Sequence, residues 1–509
     1  MHRSGSILKN TAANYIQQVV AVAVFMFLTP YAARQLGTEQ FGLWSLMWSM
    51  VGLLGLVDMG VSSAVVKFIA DARGRNSDER LRKLYATFFW VQTSLATLVL
   101  FLAGLIAPFL GHVFDIPNGL LRVAAIVFMI LSFRVATGMP FGLFVGLLAG
   151  HQKQAYSSLI KAAGVLAYGG FAFVMLRFKP SAVSLAWCSL GVHILSNAVI
   201  VAAAIRIVPD FTIRPSLFSR SLVKEISSFS GAAFLVQVSS LLYTRVDLFV
   251  IQRFMSLVSV ARYSVAMQTI ERGALFCRQM TKALTPMIAE MKGADDDQSI
   301  RLILRKGTQL NAALATPLLG GLIWLAPDLI HSWMGIDFSA SILPMQLLAG
   351  AAWIAAVCGI SSTILTMTGH QKKGARLIIA GQVLNLGLTL LLVFHYGLNG
   401  VAFASLFSGV AVGLVTIGFT LKALRVSFWR MYGPACRCLF PLALMIVAIA
   451  GLQWASRAAG IQKPHLLLVA VEEGVGCLVF FAAFYRVGCS AKERDYYQSK
   501  IKTALTRRK

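Results

Sequence analysis

Apolar stretches recur along the chain from Tyr15 to Phe484, with only short polar gaps between them. Most have the length of a bilayer-spanning helix, about 20 predominantly apolar residues. In lipid every backbone N–H and C=O must bond within its own segment, so stretches of this length indicate a bundle of helices. The alternating ten-residue pattern of a membrane barrel is absent from the sequence. The pattern therefore predicts an all-α integral membrane protein.

Breakers between these stretches divide the chain into about 14 transmembrane helices. The first stretch follows Arg3 and Lys9, as a secretory signal would, but it contains Asn14 and Gln17 and precedes many more spans. We interpret it as an uncleaved first helix. The predicted helices are centred near residues 23, 51, 98, 134, 167, 194, 240, 273, 319, 354, 385, 411, 444 and 476.

Lysine and arginine concentrate in alternate gaps, which sets the orientation because basic loops stay in the cytoplasm. The segments predicted to be cytoplasmic are 71–83, 206–224, 292–306, 372–376, 422–430 and the tail from Arg486. Both termini are therefore expected in the cytoplasm. This topology explains the net charge of +26 without a nucleic-acid partner, and the basic tail at 489–509 is also suited to anionic lipid.

The composition and the motifs of the chain exclude several classes of function. With 57% hydrophobic and 13% charged residues, a water-soluble fold is excluded. The seven cysteines form no CxxC pair, so neither a disulfide framework nor a metal site is indicated. No P-loop or HExxH motif occurs, and the outer loops are too short for a catalytic domain. We expect a transporter that is not an enzyme, holds no cofactor and is driven by a proton or sodium gradient.

The tetrapeptide Gly-His-Gln-Lys at 150–153 recurs at 369–372, a shift of 219 residues. The same shift aligns Ala13 with Ala232 and carries the first predicted helix onto the seventh. It predicts a first six-helix lobe at 1–218 and a second at 219–430, followed by two additional helices at 431–488. An even number of helices per lobe makes the repeat parallel, and such repeats place substrate between the lobes and rock to expose it. A duplicated scaffold without transport is the alternative.

Basic residues inside spans are the candidates for substrate binding, because a buried charge usually faces a wet cavity or a partner. Arg134 lies near the centre of the fourth helix, unless a structural carboxylate holds it there. Arg245 lies in the seventh helix, and Arg272 begins a basic series in the eighth. Arg278 and Lys282 are four residues apart and repel each other, so an anion between them would be stabilised. Alternatively, Lys282 extends to the cytoplasmic interface.

Acidic residues at depth are fewer. Asp58, Asp247 and Glu271 are candidates for binding a coupling ion, although Asp58 and Asp247 are equally suited to locking helices together. Arg245 and Asp247, two residues apart, do not face each other on a helix, so each needs another partner. Glu472 and Glu473 lie outside the repeat, and we assign them a structural role.

Short motifs over most of the chain resemble Wzx-type polysaccharide flippases of the multidrug and oligosaccharidyl-lipid exporter superfamily. They match the first outer turn, the end of the second helix, the inner turn after the fourth helix and the start of the second lobe of that family. The matching residues are, in that order, Ala33, Arg34, Gln35, Leu36, Gly37, Glu39, Phe41 and Gly42; Leu56, Asp58, Gly60 and Ala64; Gly150, His151, Gln152 and Lys153; and Val246, Asp247, Ala261, Tyr263 and Ala266. Ser256 departs from the pattern, since it stands where the first lobe has Gly37.

The resemblance implies a V-shaped, two-lobed bundle with a central cavity. It also implies a flippase that moves undecaprenyl-pyrophosphate-linked oligosaccharide repeat units across the bacterial inner membrane for O-antigen, capsule or exopolysaccharide assembly. A polymerase and glycosyltransferases of the same pathway are the expected partners. A drug or organic-cation antiporter of the same superfamily is the alternative, but acids would then dominate its cavity. A membrane-embedded polymerase or ligase would need a large outer loop, which the sequence lacks.

Overall fold

The computed structural model describes residues 2–58, 60–75, 77–208, 211–460, 465–488 and 494. Nearly all of them lie in helices, as predicted. The α-helices are α1 (His2–Leu54), α2 (Val61–Gly74), α3 (Asp78–Ile106), α4 (Leu110–Val113), α5 (Asn118–Gly150), α6 (Gln154–Phe178), α7 (Ala182–Ile207), α8 (Arg220–Phe254), α9 (Leu257–Gly293), α10 (Asp297–Trp333), α11 (Ile342–Met367), α12 (Gln371–Leu424), α13 (Phe428–Cys436), α14 (Leu439–Ala458) and α15 (Leu466–Ala483).

Two of these helices are each a pair of membrane spans joined by one non-helical residue. Gly37 interrupts α1 with φ 73°, and Gly397 interrupts α12 with φ 55°. Glycine has no Cβ and adopts positive φ without the steric cost that other residues meet. Each pair is therefore a tight hairpin in which a connecting loop is reduced to a single bend. The turn predicted around 33–42 is the one at Gly37.

Ten helical stretches of the described residues are long and apolar enough to cross a membrane. Two of the ten are the paired spans of α1 and α12. Helices α8 and α9 are not among the ten, although each is at least 35 residues long. They carry the charged residues that the sequence singled out, such as Arg245 and Arg278. Counting both halves of each hairpin and adding α8 and α9, the described residues contain the fourteen spans that were predicted.

The chain forms two compact units, Met1–Ser264 and Val265–Lys509. The first contains α1 to α8 and the start of α9, and in it α8 packs against α1, α2 and α3. The boundary between the units thus lies within α9, well beyond 218. The predicted lobes at 1–218 and 219–430, with two additional helices at 431–488, stay a prediction. The proposed basic tail at 489–509 lies outside the described residues, apart from Arg494.

The first unit is built around large buried side chains from α2, α3 and α5. Tyr85, Phe88 and Leu143 are at most 2% exposed and belong to one cluster with Ile69 and Ala204. In the second unit α10 packs against α11, α13, α14 and α15. Glycines allow helices to approach closely in both units. At Gly42 of α1 an added Cβ would collide with the backbone carbonyl of Leu257 in α9, so a larger residue there would require one of the two helices to shift.

Several helices end in the same type of turn, in which a residue with positive φ is followed by an amide that bonds to the carbonyl five residues back. The residues with positive φ are Gln152 after α5, Asp295 after α9, Gly369 after α11 and Arg425 after α12. The bonds run from Lys153 to Leu148, from Asp296 to Met291, from His370 to Leu365 and from Val426 to Leu421. Because this turn is common at helix ends, its presence at both copies of the Gly-His-Gln-Lys tetrapeptide does not test the 219-residue shift, which stays a prediction.

Side chains also close the first of these turns. Nδ1 of His151 lies 2.9 Å from the carbonyl oxygen of Leu147, and Arg73 donates to the carbonyl of Gly150 at 2.9 Å. Burial lowers the pKa of His151; the Leu147 hydrogen bond opposes this shift and the nearby Arg73 adds to it. His151 is consequently neutral at pH 7 and donates from Nδ1 to the helix end.

Candidate functional site

Arg134 lies near the middle of α5, as predicted, and its guanidinium packs on an aromatic ring. The guanidinium carbon is 4.9 Å from the centre of the Trp48 ring on α1. None of the ion pairs among the described residues includes Arg134, and its buried Nε has no hydrogen-bond acceptor there. The structure thus gives Arg134 a cation–π partner and provides no support for the alternative of a structural carboxylate.

Arg245 of α8 lies against the same face of α1. Its Nε is 3.8 Å from the position that a Cβ on Gly52 would occupy, and this Nε is likewise buried without an acceptor among the described residues. Trp48 and Gly52 are four residues apart, so they are neighbours on one helix face, about 5–6 Å apart. One face of α1 therefore contacts two of the predicted substrate-binding arginines, one helical turn from each other.

His193 and Tyr168, which were not among the predicted site residues, lie near Arg134, and Lys161 lies near His193. His193 of α7 interacts electrostatically with both Arg134 and Lys161 of α6. Tyr168 interacts electrostatically with Arg134. Lys161 and Tyr168 are seven residues apart on α6, so they lie on one side of that helix. A lysine in an apolar stretch was the available signal, and it was passed over.

The described surroundings of Arg134 are thus basic and aromatic. Trp44 stacks beside Trp48 with ring centres 5.6 Å apart, which extends the aromatic surface along α1. Guanidinium and ammonium groups without carboxylate partners are costly to hold among apolar helices. An anionic ligand would offset that cost, because arginine binds phosphate through paired, charge-assisted hydrogen bonds.

Asp58 lies at a break in the second span and caps the helix that follows. A 3₁₀ turn, Gly55–Asp58, ends α1, and α2 starts at Val61. The Asp58 carboxylate accepts hydrogen bonds from the amide of Ser62 at 3.2 Å and from its hydroxyl at 2.8 Å. Gln92 of α3 donates to the same hydroxyl at 3.3 Å. A carboxylate at a helix N-terminus is stabilised by the free amides and the helix dipole, so capping explains this position.

Asp247 is 5% exposed and joins two helices of the first unit. It accepts a hydrogen bond of 2.7 Å from the hydroxyl of Tyr263 in α9. Its partner is therefore found within the first unit. Ion coupling through Asp58 or Asp247 stays a prediction, and each carboxylate also has a structural role.

The remaining predicted site residues belong to α9 in the second unit. Arg272 is attracted electrostatically by its neighbour Glu271, and Arg278 donates to the backbone carbonyl of Glu271 at 3.1 Å. Arg278 and Lys282 are both exposed, so they are accessible to an anion. The structure thus places Arg134 and Arg245 along one face of α1 and the other three basic residues along α9.

Comparisons with known proteins place the chain in a family. Residues 7–292 match the model of a family described as polysaccharide biosynthesis protein. A Shigella flexneri protein named "Putative O-antigen transporter" is 22% identical over 411 residues, which cover 78% of this chain and 93% of that protein.

Two solved structures share the fold. The inward closed lipid II flippase MurJ superposes with a TM-score of 0.68 at 15% identity and covers 94% of this chain and 98% of its own. An inward-facing multidrug resistance transporter of the MATE family gives a TM-score of 0.69 at 14% identity, covering 80% of this chain and 98% of its own. Both likenesses show the fold alone. The family match spans more than half of the sequence, and the chain belongs to the polysaccharide biosynthesis protein family.

Proposed function

We propose that this protein is a flippase that carries undecaprenyl-pyrophosphate-linked oligosaccharide repeat units outward across a bacterial inner membrane for O-antigen, capsule or exopolysaccharide assembly. The observation that carries the proposal is the pair of arginines on one face of α1. Arg134 lies over Trp48 and Arg245 lies beside Gly52, each with a buried Nε that no described residue satisfies.

A lipid-linked glycan has the chemistry that such a surface requires. Its pyrophosphate carries several acceptor oxygens and a negative charge, which guanidinium groups bind with directed hydrogen bonds. His193 adds a further donor near Arg134, and Lys161 adds another near His193. The paired rings of Trp44 and Trp48 offer an apolar surface for the CH faces of the sugars next to the pyrophosphate.

The proposed mechanism is alternating access, with no covalent step. The cationic surface binds the head group from one side of the membrane, and a conformational change exposes the same surface to the other side. A proton or sodium gradient would bias the direction. The protein is accordingly a transporter rather than an enzyme, with both termini in the cytoplasm and with the glycosyltransferases and polymerase of the pathway as functional partners.

A drug or organic-cation antiporter is the competing function, since a MATE transporter shares the fold. Organic cations are bound by carboxylates and aromatic rings. The described surface at Trp48 has the aromatic rings, but its charged residues are arginines. The charge of this surface therefore favours an anionic substrate.

Complementation of a strain that lacks the protein tests the proposal. Arg134→Ala and Arg245→Ala are compared with Arg122→Ala, an exposed arginine on the same helix as Arg134. Membrane-impermeant lectin or glycosidase is applied to intact spheroplasts and to lysed cells. We expect lipid-linked glycan that is reachable only after lysis in the deletion strain and in the two site variants, and export restored by Arg122→Ala.

Protein levels in the membrane fraction are measured in parallel, so that loss of export is separated from loss of protein. Export at the wild-type rate by Arg134→Ala would contradict the proposed site. Glycan that is reachable in intact spheroplasts of the deletion strain would contradict the flippase function itself and favour the antiporter function.

A further inference from the structure

Three acidic residues lie along the packing of α10 with α14 and α15 in the second unit. Asp328 comes from α10, and Glu472 and Glu473 come from α15. The position of the two glutamates outside the predicted repeat suggested a structural role. A purely structural carboxylate within a membrane is expected to have its oxygens satisfied by donors, because an unsatisfied buried charge is costly.

Asp328 and Glu472 share one amide. Nε2 of Gln453 on α14 donates to Oδ2 of Asp328 at 2.7 Å and also interacts with the Glu472 carboxyl. Glu472 is only 2% exposed, and its Oε2 is buried without a hydrogen-bond partner among the described residues. Two like charges on one donor amide repel each other, so the arrangement is stable when one of the carboxyls is neutral.

Glu473 lies deeper along α10, beside Gly321. An added Cβ on Gly321 would collide with both carboxyl oxygens of Glu473, so the glycine makes the room in which this carboxyl sits. The thiol of Cys477, one turn further along α15, donates weakly to Oε1 at 3.7 Å. Oε2 is buried and has no partner among the described residues.

The carboxylates outnumber the cations that the structure shows beside them in the described region. Arg457 of α14 interacts electrostatically with Glu472. The facing titratable groups are thus Asp328, Glu472, Glu473 and Cys477 against Arg457. Three ionised carboxylates with one cation would leave uncompensated charge at depth, which burial in lipid disfavours by several kcal/mol per group.

We propose that Glu472, Glu473 and Asp328 form a proton-binding site, in which Glu473 and the Glu472–Asp328 pair each take up a proton in the resting protein. A proton fits better than a metal ion, since it needs a single acceptor oxygen. Among the described residues no group of three His, Cys, Asp or Glu side chains is arranged to hold a metal. Its two glutamates lie on a helix outside the predicted repeat, whereas Asp328 lies within the second predicted lobe.

The site gives a physical basis for energy coupling, which rests on the proposed flippase function. Binding or release of a proton changes the charge between α10 and α15, and so changes the free energy of packing these helices together. A pH gradient across the membrane would thereby favour one arrangement of the second unit over another.

Infrared difference spectroscopy of the purified protein tests proton binding directly. Titration of wild-type protein towards acid should increase absorbance in the carbonyl-stretch region of protonated carboxylic acids. Glu473→Gln and Glu472→Gln should each remove part of this signal, while Glu290→Gln, an exposed glutamate of α9, should remove none of the part assigned to buried carboxyls. Buried carboxyls are recognised by slow or absent hydrogen–deuterium exchange of the band.

Glutamine matches the volume of glutamate, and size-exclusion profiles verify that the variants fold. If a variant cannot be purified, ¹³C-labelled glutamate in wild-type protein shifts the same band. A spectrum without a glutamate band from a non-exchanging carboxyl at neutral pH, or variants identical to wild type, would overturn the proposal.

Transport measurements then test the coupling separately. In vesicles with an imposed pH gradient, Glu473→Gln should lose the gradient response of flipping and keep the slow rate measured without a gradient. A band from Glu473 in a protein that flips no glycan would leave the proton site standing and contradict the proposed function. A gradient response that survives in both glutamine variants would contradict coupling through this site.

Discussion

The guanidinium carbon of Arg134 lies 4.9 Å from the centre of the Trp48 ring. A cation on an aromatic face is stabilised by the ring quadrupole without being neutralised. Had a carboxylate held Arg134, its charge would have been cancelled and it would attract no substrate. The aromatic contact instead keeps the side chain in place while leaving its donors available.

Replacing Trp48 should therefore weaken the site in a graded way. Trp48→Leu keeps an apolar side chain but loses the cation–π contact. We expect this loss to raise the free-energy barrier to flipping by about 0.5–2 kcal/mol, which lowers the flipping rate roughly twofold to thirtyfold. Trp48→Phe retains a smaller aromatic face and should fall between wild type and Trp48→Leu. The rates are measured from glycan accessibility in spheroplasts.

Trp90→Leu is the matched control, because Trp90 is a partly exposed tryptophan whose indole bonds to the backbone of Ile213, remote in sequence from Arg134. An equal effect from both tryptophans would assign the loss to general stability. A rate that Trp48→Leu leaves unchanged would remove the cation–π contact from the site.

Two substitutions at Asp58 distinguish a role in capping the helix from a role in ion coupling. Asparagine is as good a cap as aspartate, whereas alanine costs about 1 kcal/mol at such a position. If Asp58 acts only on the N-terminus of α2, Asp58→Asn should flip glycan with a normal response to a pH or sodium gradient, and Asp58→Ala should lower the apparent melting temperature. We expect this structural outcome from the two hydrogen bonds with Ser62.

The opposite result would be an Asp58→Asn variant with the melting temperature of wild type but with the same flipping rate in the presence and absence of a gradient. It would show that the charge of Asp58, rather than its capping, is used in transport. The experiment decides this in vesicles, with the gradient collapsed by an ionophore as the reference condition.

Gly42 is expected to be the most sensitive small residue of the first outer hairpin. Alanine at this position must displace either α1 or the start of α9, because the obstacle is the backbone of Leu257. Overpacking of this kind costs about 1–3 kcal/mol. Thermal unfolding of the detergent-solubilised protein should show a clear fall in melting temperature for Gly42→Ala.

Gly104→Ala is the corresponding control within α3, where nothing lies within 4 Å of the added carbon. That variant should be neutral or slightly more stable, since alanine is the better helix former. Equal melting temperatures for the two variants would contradict the close contact between α1 and α9.

Hydrophobic pattern was sufficient for most of the fold, because a lipid environment leaves few alternatives to helices of bilayer length. It also located α8 and α9, although both carry charges that weaken their apolar signal. The single-residue bends at Gly37 and Gly397 were less predictable, since a glycine marks a bend only when its φ is positive. The boundary between the two compact units could not be read from helix order, because it depends on which neighbours α8 contacts.

The site was predictable to a smaller extent. Depth along a span singled out Arg134 and Arg245, but nothing in the sequence shows that both lie against one face of α1. Lys161 and His193 were not predicted, although a lysine within an apolar stretch gives the same kind of signal as Arg134. The glutamates of α15 were assigned a structural role because of where they stand in the chain, whereas their significance comes from Gln453 and Gly321 on other helices.

The turns at Gln152 and Gly369 differ in what their backbone conformation costs. Both residues have positive φ, which glycine adopts freely and which a residue with a Cβ adopts only against steric resistance. Gln152, Asp295 and Arg425 meet that resistance, whereas Gly369 does not. The ends of α5, α9 and α12 are therefore held in place by the packing around them more than by the preference of the residue at the turn.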